Sequence, residues 1–225
     1  MKKFNDHQIV ASWQKNVRSW IDAISKGEIE SRLLVTNNTV VDAIVSRSPT
    51  TVLDVGCGEG WLVRALAIRG IDALGVDVVP EFIAFAEKAG AGRFRSLAYA
   101  DVSLTALNET FDVVVCNFSL LGEESVNQLF RQVPPLLKAG GAFIVQTLHP
   151  VVSCGENEYA DGWRAGSWSG FSDQFSDPAP WYFRTVDTWT ALFQENGFHL
   201  SEIREPVNPK TKVPASIIFI AELDG

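Results

Sequence analysis

The chain has 225 residues, 46% of them hydrophobic, with 19 basic against 27 acidic side chains and a formal net charge of -8. That length suits one sizeable core and argues against two independent enzymatic domains. The negative balance, with no run of Lys and Arg interleaved with aromatics, argues against nucleic-acid and anionic-membrane partners, whose phosphates such a surface repels.

The start, MKKFNDHQIV, has a positive pair followed by polar residues where a signal peptide carries its apolar core, and no stretch approaches the length of a membrane span, so a cytoplasmic location is expected. Ile9, Trp13, Val17, Trp20, Ile21 and Ile24 recur at helical spacing, and Gly27 stops that helix. A second helix is expected from about Ser31 to Ser46, broken by Pro49, and the two form a helical cap over residues 1–49. From Thr51 the pattern changes to short Val- and Ile-rich runs separated by helical segments, as parallel strands joined by crossover helices require. Strands are predicted at Thr51 to Gly56, Ile71 to Asp77, Phe94 to Ala100, Phe111 to Asn117 and Ala142 to Leu148. Helices are predicted near Trp61 to Arg69, Pro80 to Lys88 and Glu124 to Lys138, the last closed by Gly140 and Gly141. Residues 151–185 break this rhythm with Trp163, Trp168, Phe171, Phe175, Trp181, Tyr182 and Phe183 among Gly, Ser, Asp and Pro, and are expected to form a structured lid. In residues 186–225 a helix from Val186 to Asn196 precedes two extended runs, Phe198 to Ile203 and Ala215 to Leu223, which are expected to pair as an antiparallel hairpin at the sheet edge. Cys57, Cys116 and Cys154 are odd in number and lack metal-site spacing, and His7, His149 and His199 are scattered. Neither a disulfide framework nor a metal site is expected.

The sharpest feature is VLDVGCGEGWL, residues 52–62, with glycines at 56, 58 and 60. In an open parallel sheet, ligands bind beyond the carboxyl ends of the strands, and the first strand-to-helix turn is the closest approach of backbone to ligand. Gly56 and Gly58 let that turn tighten and expose main chain, and Gly60 adopts conformations closed to other residues. A dinucleotide fold carries a related G-x-G-x-x-G, but here the position of its third glycine is Trp61, which suits a pyrophosphate site poorly. Asp77, closing the second strand, is placed to accept from both hydroxyls of a ribose. Asp101, closing the third, is placed to accept from the amine of an adenine, with Val78 and Val102 offering apolar contact to the ring.

These residues resemble the class I S-adenosylmethionine-dependent methyltransferases. VLDVGCGEG matches their first motif, GVD the second, ADV the third and FDVVVCNFSLL the fourth-strand motif, and LLKAGGAFIVQTLHP is similar to the helix, glycine turn and fifth strand that follow. The resemblance covers about Thr51 to Pro150. It implies a Rossmann-like, doubly wound α/β fold, a mostly parallel seven-stranded sheet with the last strand antiparallel, and residues 50–150 as the cofactor-binding core. It also implies S-adenosylmethionine as cofactor, with Gly56, Gly58 and the backbone of Cys57 facing its methionine part. Asp54 orients the turn and reaches the ammonium, Asp77 holds the ribose, and Asp101 with Val102 holds the adenine. Asn117 and Phe118 lie near the sulfonium. The N-P-P-Y-like stretch of methyltransferases acting on nucleic-acid bases or protein glutamine is missing, Asn117-Phe118-Ser119-Leu120 standing in its place, and so is the acidic set of the magnesium-dependent catechol type. Methylation of an O or N atom of a small, partly apolar metabolite is therefore expected; a catalytically inactive cofactor-binding partner subunit is the alternative, and a nicotinamide-dependent oxidoreductase is disfavoured by Trp61.

Beyond the cofactor motifs, His149 in THP is a candidate general base or a residue that holds the proline turn. Arg32 is a candidate partner for the methionine carboxylate or an acidic substrate, or else a surface residue. Arg184 in WYFR is a candidate clamp for a substrate carboxylate or an anchor for the lid. Trp163, Trp168, Trp181 and Tyr182 are candidate walls of the acceptor pocket. Trp13 and Trp20 are expected in the core.

Overall fold

The computed structural model describes residues 4–223; Lys2, Lys3 and the outer ends of the first and last segments lie outside the described residues. Helix α1, Asp6–Ser25, begins at a reciprocal cap in which Asn5 Oδ1 accepts from the Gln8 N–H and Gln8 Oε1 accepts from the Asn5 N–H at 3.1 Å. The second helix is not continuous from Ser31. It opens with a wide π-helical turn, Arg32–Thr36, before α2, Asn37–Val45. Such turns re-aim side chains and occur frequently at functional sites. The alternation then runs β1 (Thr51–Val55), α3 (Trp61–Ala67), β2 (Asp72–Asp77), α4 (Pro80–Ala89) and β3 (Arg93–Ser96).

Two expectations fail here for identifiable reasons. The third strand ends at Ser96, well short of Ala100, and Tyr99–Asp101 form a 3-10 turn: the Tyr99 hydroxyl donates to Ser119 O at 2.9 Å and ties the segment to the loop after the fourth strand. A short capped helix, α5 (Leu104–Leu107), leads to β4 (Phe111–Asn117), but α6 (Glu124–Gln132) stops well before Lys138. Pro134 and Pro135 lack the N–H donors that would continue it, and β5 already begins at Leu137 and runs to Thr147. Gly140 and Gly141 therefore close no helix. They lie in β5 where the register against β4 jumps from Phe111↔Leu137 to Val113↔Ala142, a bulge that glycine tolerates. After β5 come α7 (Pro150–Ser153), a two-stranded hairpin of β6 (Gly162–Arg164) and β7 (Trp181–Phe183), α8 (Val186–Glu195), β8 (Phe198–Arg204) and β9 (Ile217–Leu223).

The seven-stranded sheet has the order β3-β2-β1-β4-β5-β9-β8. Only β9 runs against the rest, inserted between β5 and the edge strand β8. One face carries Leu53, Val55, Val114, Cys116, Phe143 and Val145 against α6 and α8, where Phe130 meets Phe143 and Phe193 edge to face at 5.0 and 4.9 Å. The other carries Val52, Val113, Val115, Ala142, Ile144 and Ile218 against α2 and α3. Strand order reverses between β1 and β4, so the crevice of the topological switch point opens at their carboxyl ends. Among the described residues no helix is long and apolar enough to cross a membrane.

The aromatic insertion is strapped to α1. Asn16, fully buried, donates through Nδ2 to Ser176 O at 2.8 Å and accepts from the Ser176 N–H at 2.9 Å; Ser19 Oγ donates to Gln174 O at 3.0 Å. Trp168 packs against Trp13 at 5.7 Å and Phe175 at 4.7 Å, and Trp20 faces Phe171 at 6.3 Å. Helix α1 and the insertion thus cover the crevice from one side as one aromatic layer.

Candidate active site

The turn after β1 is held from two neighbouring strands. The N–H groups of Gly56 and Cys57 both donate to Val76 O, at 2.8 and 3.0 Å. Asp77, at the tip of β2, accepts from the Gly58 N–H through Oδ2 and from the Val79 N–H through Oδ1, each at 2.9 Å. The three glycines do different things. Gly56 has φ +77°, and a Cβ there would stand 2.4 Å from Ser119 Cβ and 2.7 Å from the Tyr99 hydroxyl, so it is demanded by the protein's own packing. A Cβ on Gly60 would press into the Phe94 ring at 2.6 Å. Only Gly58, φ +54°, borders open space, with the Trp20 indole nitrogen 4.0 Å from where a Cβ would be. The bare surface of the turn is therefore at Gly58, and Trp20 stands over it.

Around that surface lies a buried charge set that the protein does not neutralise. Asp54, 2% exposed, has Oδ1 without a partner; burial first, then the fields of Asp77 and Glu59, push its carboxyl up to about 8 from 3.8. Glu59 pairs one oxygen with Arg64 and leaves Oε1 without a partner. Arg32, on the π-helical turn, donates from Nε to Asn37 Oδ1 at 3.2 Å and lies over the rings of Trp61 and Trp20 at 5.0 and 5.8 Å. Its Nη2 is buried without a partner; burial lowers its guanidinium to about 10, with Glu59 opposing. Burial and these same acids hold the Cys57 thiol well above its ordinary range, so it is inert, packed on Gly75. One donor on a cation and two orphaned carboxyl oxygens fit an α-amino-acid zwitterion: carboxylate toward Arg32, ammonium toward Glu59 and Asp54, whose ionised form that ammonium would favour.

The raised pKa of Asp54 has a measurable consequence. Between about pH 4 and 8 the folded chain keeps a proton that the unfolded chain has released, so stability falls as pH rises through this window and levels above it. Asp54→Asn is expected to remove that slope and to melt higher than wild type at alkaline pH, in thermal scans across the range.

Beyond the turn, the carboxyl edge continues with Asn117, whose Oδ1 is buried without a partner, and Phe118, a bulky residue held at φ +53°. That conformation costs on the order of 1–3 kcal/mol, and such strain clusters at functional sites. His149, 7% exposed, shares its Nε2 hydrogen with Glu205 Oε1 at 2.7 Å and leaves Nδ1 buried and unpartnered. Asp101 is exposed at the end of the 3-10 turn and does not close a strand. Val102 is fully buried in the core under the sheet, so its side chain is committed to packing, not to a ring in the crevice. Val78 packs at the α1–α4 contact with Trp20 and Phe82.

The substrate-side residues divide between packing and a pocket lining. Arg184, 3% exposed, donates to Gly122 O at 2.8 Å, Glu123 O at 3.0 Å and Asn127 Oδ1 at 3.3 Å, and is sandwiched by Tyr182 and Trp189. Three of its five N–H donors are spent on fixing the loop after β4. Trp163 donates to Glu123 Oε2 at 2.9 Å and meets Tyr182 edge to face. Trp181 meets Phe183 edge to face at 5.8 Å, and the Tyr182 N–H donates to Leu121 O at 2.8 Å. Trp168 belongs to the α1 layer. Trp163 and Trp168 hold the insertion in place, while Trp181, Tyr182 and Arg184 line one small pocket with Leu120, Thr147 and Leu148 at the end of β5. Trp20, Glu59, Tyr99, Gln146 and Glu205 take places at the site that their sequence positions did not announce. The Gln that interrupts the apolar run FIVQT is the clearest missed signal.

Residues 53–145 match the family model described as a methyltransferase domain. The ubiquinone biosynthesis O-methyltransferase of Methylococcus capsulatus is 33% identical over 113 residues, 48% of each chain, and that of a Pseudomonas putida strain is 27% identical over 148 residues, 64% of each. The chain thus spans between about half and two-thirds of the length of these curated relatives. Among solved structures, the Burkholderia thailandensis 1,6-didemethyltoxoflavin-N1-methyltransferase, with 1,6-didemethyltoxoflavin and S-adenosylhomocysteine bound, superposes with TM-score 0.69 at 18% identity, covering 100% of this chain and 93% of that one. An S-adenosylmethionine-dependent methyltransferase from Clostridium acetobutylicum gives 0.66 at 15%, covering 91% and 96%. Residues 53–145 thus carry a methyltransferase-domain match, and the chain as a whole has the Rossmann-like fold of the S-adenosylmethionine-dependent methyltransferases.

Proposed function

We propose that the protein binds S-adenosylmethionine across the turn at Gly58 and transfers its methyl group to an O or N atom of a small, partly apolar acceptor. The observation that carries this reading is the orphaned set Arg32 Nη2, Asp54 Oδ1 and Glu59 Oε1 beside Asp77. Arg32 takes the carboxylate of the amino-acid end, Asp54 and Glu59 its ammonium, Asp77 the ribose hydroxyls through its remaining lone pairs, and Asp101 lies at the adenine end. The excess of acids over Arg32 and Arg64 favours a cofactor with net positive charge over its neutral product, which helps release. When bound, S-adenosylmethionine supplies a methyl carbon to the acceptor's lone pair, and the carbon–sulfur bond breaks with its electrons retained on sulfur. Alignment and exclusion of water are the protein's tasks in such a displacement, and Trp20, Trp61 and the strapped insertion supply the cover. His149, with Nε2–H donated to Glu205, presents the lone pair of Nδ1 and takes the acceptor's proton. Three unpaired cysteines support a cytoplasmic enzyme, and the net charge of -8 argues against a nucleic-acid acceptor.

The test is calorimetric binding of S-adenosylmethionine followed by S-adenosylhomocysteine release with small phenols and amines. Binding with acceptor-dependent release supports the proposal; binding without turnover marks the chain as a partner subunit, and no binding refutes both. In an active assay, His149→Ala is expected to lower kcat about a hundredfold with the Kd for cofactor unchanged.

A further inference from the structure

The sheet face beneath α2 and α3 is apolar except along its carboxyl edge. The alternation that turns Val52, Val113, Val115 and Ile144 toward the helices turns Asp54, Asn117 and Gln146 the same way. Asn117 and Gln146 are direct neighbours in the β4–β5 register. Gln146, 1% exposed, donates from Nε2 to Ser216 Oγ at 2.9 Å, and Ser216 is itself fully buried; the side chain is thereby fixed, with Oε1 left unpartnered. Asn117 Oδ1 beside it is also unpartnered. So is Thr36 Oγ1, at the head of α2, which descends over this face from Arg32 at the carboxyl edge toward the start of β1. A buried polar atom left without a partner is destabilising, and here several share one edge. They lie on the acceptor side of the proposed cofactor seat: one strand over and two residues along from Asp54, Asn117 stands about 8 Å away on standard sheet spacings.

The chemistry of the row restricts what can fill it. Its orphaned atoms, Gln146 Oε1 and Asn117 Oδ1, are acceptors, Gln146 Nε2 is held by Ser216, and Glu59 adds negative charge at the same edge. A carboxylate or phosphate would find acceptors and like charge. A hydroxyl or neutral amino group would satisfy the row. We infer that Gln146, fixed by Ser216, and Asn117 form the recognition pair for the methyl acceptor, and that they select a group carrying a neutral O–H or N–H hydrogen over a carboxylate. The inference rests on the methyltransferase reading above.

The test separates the two. Protein saturated with S-adenosylhomocysteine is titrated at millimolar concentration with three probes sharing one ring, phenol, aniline and benzoate, and followed by ligand-observed NMR. Phenol and aniline are expected to bind at least about tenfold more tightly than benzoate, the value of one buried hydrogen bond to a neutral group. Gln146→Leu is expected to remove that difference while leaving S-adenosylhomocysteine affinity within about twofold of wild type. Asn117→Ala, in a half-buried position, is expected to narrow the same preference among the three probes and stands in if Gln146→Leu does not fold. Equal binding of benzoate, an unaltered preference in a folded variant, or no binding of any probe to cofactor-loaded protein would overturn the recognition pair. Failure to load S-adenosylhomocysteine at all would instead overturn the methyltransferase reading.

Discussion

Asp77→Ala is expected to weaken S-adenosylmethionine binding by about one to two orders of magnitude, the largest loss from any single change at the cofactor seat. The carboxylate has two duties. It accepts from the Gly58 and Val79 N–H groups and so locks the tip of β2 to the one bare position of the turn, and in the proposed complex its free lone pairs face the ribose. A hydrogen bond to a charged group contributes about 1.5–3 kcal/mol, and each 1.4 kcal/mol is tenfold in affinity. Burial raises the Asp77 carboxyl, opposed by the Val79, Gly58 and Val78 N–H groups, so affinity should also fall in acid as the carboxylate is protonated. Asp77→Asn should recover little, because an amide cannot offer acceptors on both sides to two backbone donors. Isothermal titration of the folded variants checks this; unchanged affinity in Asp77→Ala would detach the ribose from this residue.

For stability the largest expected effect lies at Arg184. Arg184→Ala strips the carbonyls of Gly122 and Glu123 of their buried donor and removes the slab between Tyr182 and Trp189. Leaving such groups unsatisfied costs about 3 kcal/mol or more, and for a chain of this length that lowers Tm by about 6–12 °C. Arg184→Lys keeps the charge but not the planar fork and should recover less than half of the loss. Urea denaturation of both variants measures it. A variant as stable as wild type would mean that the guanidinium does not hold the loop after β4.

The sheet is legible in the sequence because parallel strands buried on both faces read as continuous Val and Ile runs, and the acids that end them fall at the carboxyl edge by construction. Asp54, Asp77 and Gly58 are found this way. The features that escape depend on contacts between distant segments. Nothing local in Phe94 to Ala100 says that Tyr99 will reach Ser119 and end β3 early, and Gly140-Gly141 reads as a helix stop until the β4 register reveals a bulge. Aromatic residues in the insertion read as a pocket because burial and binding demand the same side chains; only the partners of Trp163 and Trp168 separate these two from Trp181 and Tyr182, which do line one. Trp20 escapes for the converse reason, since an indole on an amphipathic helix looks like core until the helix is placed over Gly58.

The most direct test of the cofactor seat is a crystal structure with S-adenosylhomocysteine. The expected result is its carboxylate on Arg32 Nη2, its ammonium near Asp54 and its ribose hydroxyls on Asp77, with Trp20 closing over the Gly58 turn. Density for the molecule at any other place on the sheet, or a carboxylate that leaves Arg32 Nη2 without a partner, would contradict it.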